Sequence, residues 1–211
     1  LITAVTDPVD ADLVETAEQP NTNVTGTNDM QPMDKQFELI NSFAPDAENV
    51  GVIYNAGEAN SVLQVEMAEE IADDMGLTLV KASAATSSDV LQAAQSLVGK
   101  VSAFYVPTDN TVVSAIESVV KVAEKEDIPL IVGEEGGVRA GALATVGIDY
   151  YQLGRQTGNM ALRIINDGDT PQTMPVETQE NTKLIINESA AEAMGVEIPS
   201  ELKETATEII E

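Results

Sequence analysis

Cysteine, histidine and tryptophan are all absent from this 211-residue sequence, and each absence closes off chemistry. Without cysteine there is no disulfide and no thiol nucleophile. Without histidine there is no Ser-His triad, and the usual zinc sites lose their nitrogen ligands as well as their sulfur ones. Aromatic residues make up 3% of the chain, so Val, Ile, Leu, Ala and Met must fill the interior. Basic residues are also scarce: 10 Lys and Arg stand against 36 Asp and Glu, a net charge of −26. That charge repels phosphate backbones and anionic bilayers, which argues against nucleic-acid and membrane-surface partners. It reads as a solvated surface, and composition does not separate ordinary acidity from a salty habitat. No apolar run approaches the roughly 18 residues that would span a bilayer. The opening residues Leu1-Ile2-Thr3-Ala4-Val5, with no initiator Met, read as the middle of a strand and predict further residues upstream.

What is present is a regular alternation of apolar strands and amphipathic helices. Strands are predicted over 50–54, 77–82, 101–106, 128–132, 142–148 and 182–186, several of them apolar on both faces. Helices are predicted over 34–43, 60–75, 87–98, 110–126, 153–165 and 188–194, with Phe37, Ile40 and Phe43 on the buried face of the first. The second carries a stripe of Leu63, Met67, Ile71 and Met75, and Gly76 stops it. The fold class is therefore α/β, a parallel sheet with helices on both faces. Only 50–137 supplies a complete βαβ series, so a second lobe is expected to be incomplete in this chain.

Two loops stand out, Asn55-Ala56-Gly57-Glu58-Ala59-Asn60-Ser61 and Pro107-Thr108-Asp109-Asn110-Thr111. Each follows a strand and opens into a helix, the place where open parallel sheets bind ligands. Small neutral donors beside the acids Glu58 and Asp109 suit a zwitterion, with donors for a carboxylate and an acid for an ammonium. N-capping explains Asn60, Ser61 and Asp109 equally well without any ligand. Glu134 and Glu135 pair two carboxylates after a strand, a pattern open to acid–base chemistry, although a solvated loop accounts for it in so acidic a chain. Gly133, Gly136 and Gly137 match neither GxGxxG nor a phosphate loop.

The segments Ala4-Val5-Thr6-Asp7-Pro8-Val9, Asn23-Val24-Thr25-Gly26-Thr27-Asn28-Asp29, Val52 to Ser61, Tyr105 to Thr111 and Gly147-Ile148-Asp149-Tyr150-Tyr151-Gln152-Leu153-Gly154 carry a resemblance. Together they are similar to the extracytoplasmic substrate-binding proteins of ABC transporters, in particular the family associated with tryptophan and other aromatic amino acids. The resemblance implies a type I periplasmic-binding-protein fold: two Rossmann-like lobes joined by three crossovers and closing on a ligand. Lobe one is expected in 1–45 and 146–168, and lobe two in 46–145 and 169–211. It further implies an amino-acid ligand, an ABC permease as partner, a monomer, no catalysis, no cofactor and no metal. An extracytoplasmic location follows from the same likeness, whose members carry a signal and usually a lipid-modified cysteine. Candidate ligand residues are Thr6, Asp7, Thr25, Gly26, Thr27, Asn55, Glu58, Ala59, Asn60, Ser61, Asp109, Asn110, Thr111, Glu134, Asp149 and Tyr150. Two other readings stay open: a ligand-sensing domain of repressor type, and an enzyme using Glu134 or Asp109 as a base.

Overall fold

The computed structural model describes residues 1–179 and 181–211. They divide into two compact units, one of Leu1–Gln31 with Ile148–Thr182 and one of Pro32–Gly147 with Lys183–Glu211. These boundaries differ from those read from the sequence. Residues 32–45 pack with the larger unit because Phe37, Leu39 and Ile40 enter its core. Residues 169–182 join the smaller unit, where Met174 and Val176 are buried.

The larger unit is built on helix α1 (Met33–Phe43), strand β1 (Asn49–Tyr54), helix α2 (Ala59–Asp74), strand β2 (Thr78–Ser83) and helix α3 (Val90–Leu97). Strand β3 (Ala103–Val106), helices α4 (Asn110–Val113) and α5 (Ile116–Lys125), strand β4 (Leu130–Val132), helix α6 (Glu135–Arg139) and strand β5 (Ala144–Ile148) follow. After helix α7 (Tyr150–Leu162) come strand β6 (Thr182–Asn187), helices α8 (Glu188–Ala193) and α9 (Ser200–Thr205), and strand β7 (Glu208–Ile210). The sheet order is β2-β1-β3-β4-β5-β6-β7. β1 pairs in parallel with both β2 and β3, and β3 pairs in parallel with β4. The strand order therefore reverses between β1 and β3, which makes the carboxyl ends of those two strands the switch point of the sheet.

Residues 50–53, 103–106 and 130–132 are buried throughout, as expected for strands covered on both faces. Burial of this continuous Val, Ile, Leu and Phe core, at roughly 25 cal/mol per Å² of apolar surface, is the main stabilising term. Three expectations need correction. The predicted helix over 110–126 is two helices, α4 and α5, broken at Ser114 and Ala115. The buried face of α2 is Ser61, Gln64, Val65, Ala68 and Ala72, whereas Met75 is exposed. The small side chains of Ala68 and Ala72 let the helix lie close on the sheet, and that outweighs the larger residues of the predicted stripe. The loop predicted at 133–137 contains the start of α6.

In the smaller unit the predicted strand at 1–5 shrinks to a single parallel bridge, Ile2 to Gly26. Ala4 at φ 54° turns the chain out of extended geometry directly afterwards. A second parallel bridge joins Thr27 to Glu177. Helix α7 begins at Tyr150, three residues before the prediction, because Asp149 caps it by accepting from the Tyr151 and Gln152 amides.

Candidate functional site

In the larger unit, the loops after β1 and β3 meet at the switch point, and their polar groups are almost fully paired. Asp109 is the N-cap of α4: its Oδ1 accepts from the Val112 amide at 2.7 Å. Its Oδ2 accepts from the backbone N–H of Asn55 at 2.6 Å, which ties the two loops together. Asp109, expected from the sequence to meet a ligand ammonium, is buried here, and each of its oxygens accepts one backbone amide.

Glu58 reaches across in the opposite direction. Oε1 accepts from the Thr111 amide at 3.0 Å and the Thr111 hydroxyl at 2.7 Å. Oε2 accepts from the Asn110 amide at 3.0 Å and from Asn110 Nδ2 at 2.7 Å. Partial burial raises the pKa of this carboxyl, but the hydrogen bonds from Thr111 and Asn110 outweigh it and hold the group below the usual carboxylate range. Asn55 completes the lattice, with Nδ2 donating to Thr111 Oγ1 at 2.8 Å and Oδ1 accepting from the Gly57 amide at 2.9 Å.

Helix α2 starts at Ala59, so Asn60 and Ser61 are its second and third residues rather than its cap; the N-cap is Glu58, whose side chain makes no cap hydrogen bond. Asn60 Nδ2 donates to the Thr108 carbonyl at 2.8 Å. Gln64 Nε2 donates to the same carbonyl at 3.2 Å, while Gln64 Oε1 accepts from the Thr108 amide and hydroxyl. The backbone amides of Ala59 and Asn60 find no acceptor among the described residues. The Ser61 hydroxyl is likewise unpartnered, on a residue with no exposed surface. Side chains on a helix lean toward its N-terminus, which puts this hydroxyl at the same end of α2 as the two amides.

Glu134, proposed from the sequence as a base or ligand residue, is the N-cap of α6. Its two oxygens accept from the Gly136 and Gly137 amides, both at 2.6 Å. A Cβ on Gly136 would lie 2.7 Å from Glu134 Oε2, so a larger residue there would push the capping carboxylate aside.

In the smaller unit, Thr25, Gly26 and Thr27 serve the architecture. The Thr25 hydroxyl donates to the Met174 carbonyl at 2.7 Å, and the Thr27 hydroxyl pairs with that of Thr157 at 2.8 Å. Asp7 Oδ1 accepts from the Val9 and Asp10 amides, closing the turn at Pro8. Thr6 donates to Asp29 Oδ1 at 3.1 Å, and the Tyr150 phenol donates to Asp29 Oδ2 at 3.0 Å. Gln31 Nε2 lies 3.4 Å from the same phenol oxygen, so the Tyr150 ring is held in place while 39% of the residue faces solvent. Asp149 caps α7, and its amide donates to Gln179 Oε1 at 2.6 Å.

Sequence reasoning passed over Gln64, Gln31 and Gln179, side chains that fasten these loops, and quoted Thr108 only as part of its loop. The signal for Gln64 was there: Ser61 and Gln64 are polar residues at helical spacing with Val65 and Ala68, a buried polar pair that needs partners. Among the described residues, no group of three or more acidic side chains could hold a metal ion, and no helix is long and apolar enough to cross a membrane.

An open α/β sheet with donor-rich loops at its switch point, and acids consumed as caps, has the layout of a ligand-binding protein. Residues 1–210 match the ABC transporter substrate binding protein family, to which the chain belongs. It is 44% identical over 197 residues to a tyrosine-binding protein from Clostridioides difficile (strain R20291), covering 93% of this chain. The chain spans 57% of that relative's length. The structure of an ABC domain in complex with L-Trp from Streptococcus pneumonia is similar at a TM-score of 0.92 and 33% identity, covering 99% of this chain and 70% of the other. A ligand-free, open substrate-binding protein with adhesive properties from Clostridium difficile gives a TM-score of 0.81 at 46% identity, covering 100% of this chain and 70% of the other. The α/β, type I periplasmic-binding-protein fold read from the sequence agrees with these neighbours, of which this chain is a part-length counterpart.

Proposed function

We propose that the protein binds an aromatic amino acid outside the cytoplasm and delivers it to an ABC permease, leaving the ligand chemically unchanged. The observation that carries this reading is the open N-terminus of α2, where the Ala59 and Asn60 amides and the Ser61 hydroxyl all lack partners among the described residues. A helix start with free N–H groups favours an anion, and the α-carboxylate of an amino acid fits such a spot. The names of the similar proteins, one tyrosine-binding and one bound to L-Trp, support an aromatic side chain on that ligand. Binding alone changes which conformation a substrate-binding protein favours, and that preference is what a permease reads. Asp109 and Glu134 act as helix caps, each accepting two backbone amides, and this structural use supports transport over catalysis.

Calorimetry and thermal unfolding with L-tyrosine, L-tryptophan and L-phenylalanine test the assignment. A ligand at about 100 times its Kd adds about 2.7 kcal/mol of apparent stability. Recovery of the ligand intact after incubation supports transport over turnover. If a different solute class stabilises the protein and none of the three does, the assignment is wrong.

A further inference from the structure

We infer that Glu58 is a positioning residue, which caps α4 from the neighbouring loop and thereby holds the start of α2 in place for ligand. This rests on the α2 N-terminus being the carboxylate site. Glu58 ends the loop after β1 and supplies the backbone N-cap of α2, yet its side chain leaves its own helix uncapped. It turns instead to the first two amides of α4, those of Asn110 and Thr111. Asp109 takes the third, that of Val112. Two carboxylates from different loops thus consume every donor in the first turn of α4. Of the two helix starts at the switch point, α4 is closed to an incoming anion and α2 is open. The sequence alone presents these two starts as equivalent.

The bonding runs both ways. Glu58 grips residues 110 and 111, while Asp109 grips the Asn55 amide three residues before Glu58. The Thr111 hydroxyl sits inside the clasp, donating to Glu58 Oε1 at 2.7 Å and accepting from Asn55 Nδ2 at 2.8 Å. A carboxylate has about four lone-pair positions, and four donors at 3.0 Å or less fill those of Glu58. Glu58 therefore has no capacity left for a ligand ammonium, and its effect on binding passes through the backbone it holds. Charge-assisted bonds of this kind are stronger than neutral ones, and here they run between the two loops in both directions.

The test uses the full chain and two readouts. In ligand-free, ¹⁵N-labelled protein, Glu58→Gln places an NH₂ against donor groups. It is expected to speed amide exchange at Asn110 and Thr111 about tenfold or more, the loss of one charge-assisted bond, with Val112 nearly unchanged. In calorimetry the same variant is expected to weaken L-tyrosine binding by about tenfold while unfolding stays cooperative. Thr111→Val should reproduce part of both effects, and Thr111→Ser, which keeps the hydroxyl, should remain within about twofold of the parent protein. Unchanged exchange at 110 and 111 in Glu58→Gln overturns the clasp. Faster exchange with unaltered L-tyrosine affinity overturns the positioning role. A parent protein that takes up none of the aromatic amino acids sinks the functional reading instead, and the exchange data then still judge the clasp.

Discussion

The carboxylate of Asp109 bonds simultaneously to the amide of Val112, three residues ahead in its own helix, and to the amide of Asn55 in a separate loop. One buried side chain thereby fastens the carboxyl ends of β1 and β3, the two strands that flank the switch point of the sheet. Adjacent strands in a parallel sheet are fixed to each other along their length, but the loops beyond their ends are not. Asp109 and Glu58 supply that missing fixation. A protein of net charge −26 gives up two acids to do it.

Asp109→Asn is expected to lower stability by about 1.5–3 kcal/mol, the range for hydrogen bonds to a charged acceptor. One carboxamide oxygen can replace either the Val112 bond or the Asn55 bond, and the amide NH₂ must face the other donor. Urea unfolding at neutral pH measures the loss. A midpoint unaltered from that of the parent protein would show that one oxygen suffices for both loops.

The hydroxyls of Ser61 and Tyr105 are both buried without partners among the described residues, so their removal should cost little in the ligand-free protein. Burial also pushes the Tyr105 phenol far above its ordinary pKa, which keeps it neutral. Tyr105→Phe retains the ring that packs 5.5 Å from Phe37 and is expected to leave stability within about 1 kcal/mol or raise it. Ser61→Ala should behave alike in unfolding, but L-tyrosine affinity should fall by about tenfold, as expected for a lost hydrogen bond to a charged group. Equal affinity for parent and Ser61→Ala would remove the hydroxyl from the carboxylate site.

Gly26 has φ +152°, and a Cβ built there would lie 1.9 Å from the carbonyl oxygen of Ile2. That carbonyl accepts from the Thr27 amide, so the clash falls on the bridge that aligns the first residues of the smaller unit. Gly26→Ala is expected to destabilise that unit by more than about 2 kcal/mol through strain and overpacking. Hydrogen exchange at Ile2 and Thr27 should rise sharply, while β1 and β3 remain protected. Unperturbed exchange at both positions would mean the backbone shifts aside cheaply.

The lowered pKa of Glu58 makes a signed prediction about pH. An ordinary glutamate carboxyl titrates near 4.5 and folded Glu58 titrates below that, so ionised Glu58 favours the folded state. This contribution is complete above the unfolded pKa and drains away as pH falls through the folded one. The stability gap between parent and Glu58→Gln should therefore be constant near neutral pH and shrink only below about pH 4.5, as the linkage relation requires. Guanidinium unfolding from pH 3 to pH 7 follows the gap. A gap that grows toward acid pH would reverse the assigned sign.

Much of the architecture was legible in the chain because burial on both faces leaves a local mark. The runs Gly51-Val52-Ile53 and Phe104-Tyr105-Val106 announce covered parallel strands, and Phe37, Ile40 and Phe43 announce the apolar side of α1. The loops at 55–61 and 107–111 were identifiable for the same reason: strand, polar turn and helix follow one another within a few residues. Family likeness could also be read directly, since it resides in those contiguous motifs.

Only the tertiary structure decided what the polar residues in those motifs do. Glu58 and Asn110 are 52 positions apart, and Asn55 and Asp109 are 54 apart, so no local pattern reveals that each acid serves the other's loop. Capping and ligand binding demand the same small oxygen-bearing side chains at the same helix starts, so residue type cannot separate them. The partner chosen by each hydrogen bond separates them, and that choice depends on which strands lie side by side. The buried stripe of α2 was misread for a related reason: Leu63, Met67 and Ile71 are the larger apolar residues, but the helix turns Ser61, Gln64, Val65, Ala68 and Ala72 inward and leaves Ile71 at the margin of the core. Composition and periodicity determined that a doubly covered parallel sheet would form, while the packing of β1 against β3 determined which helix start stayed open.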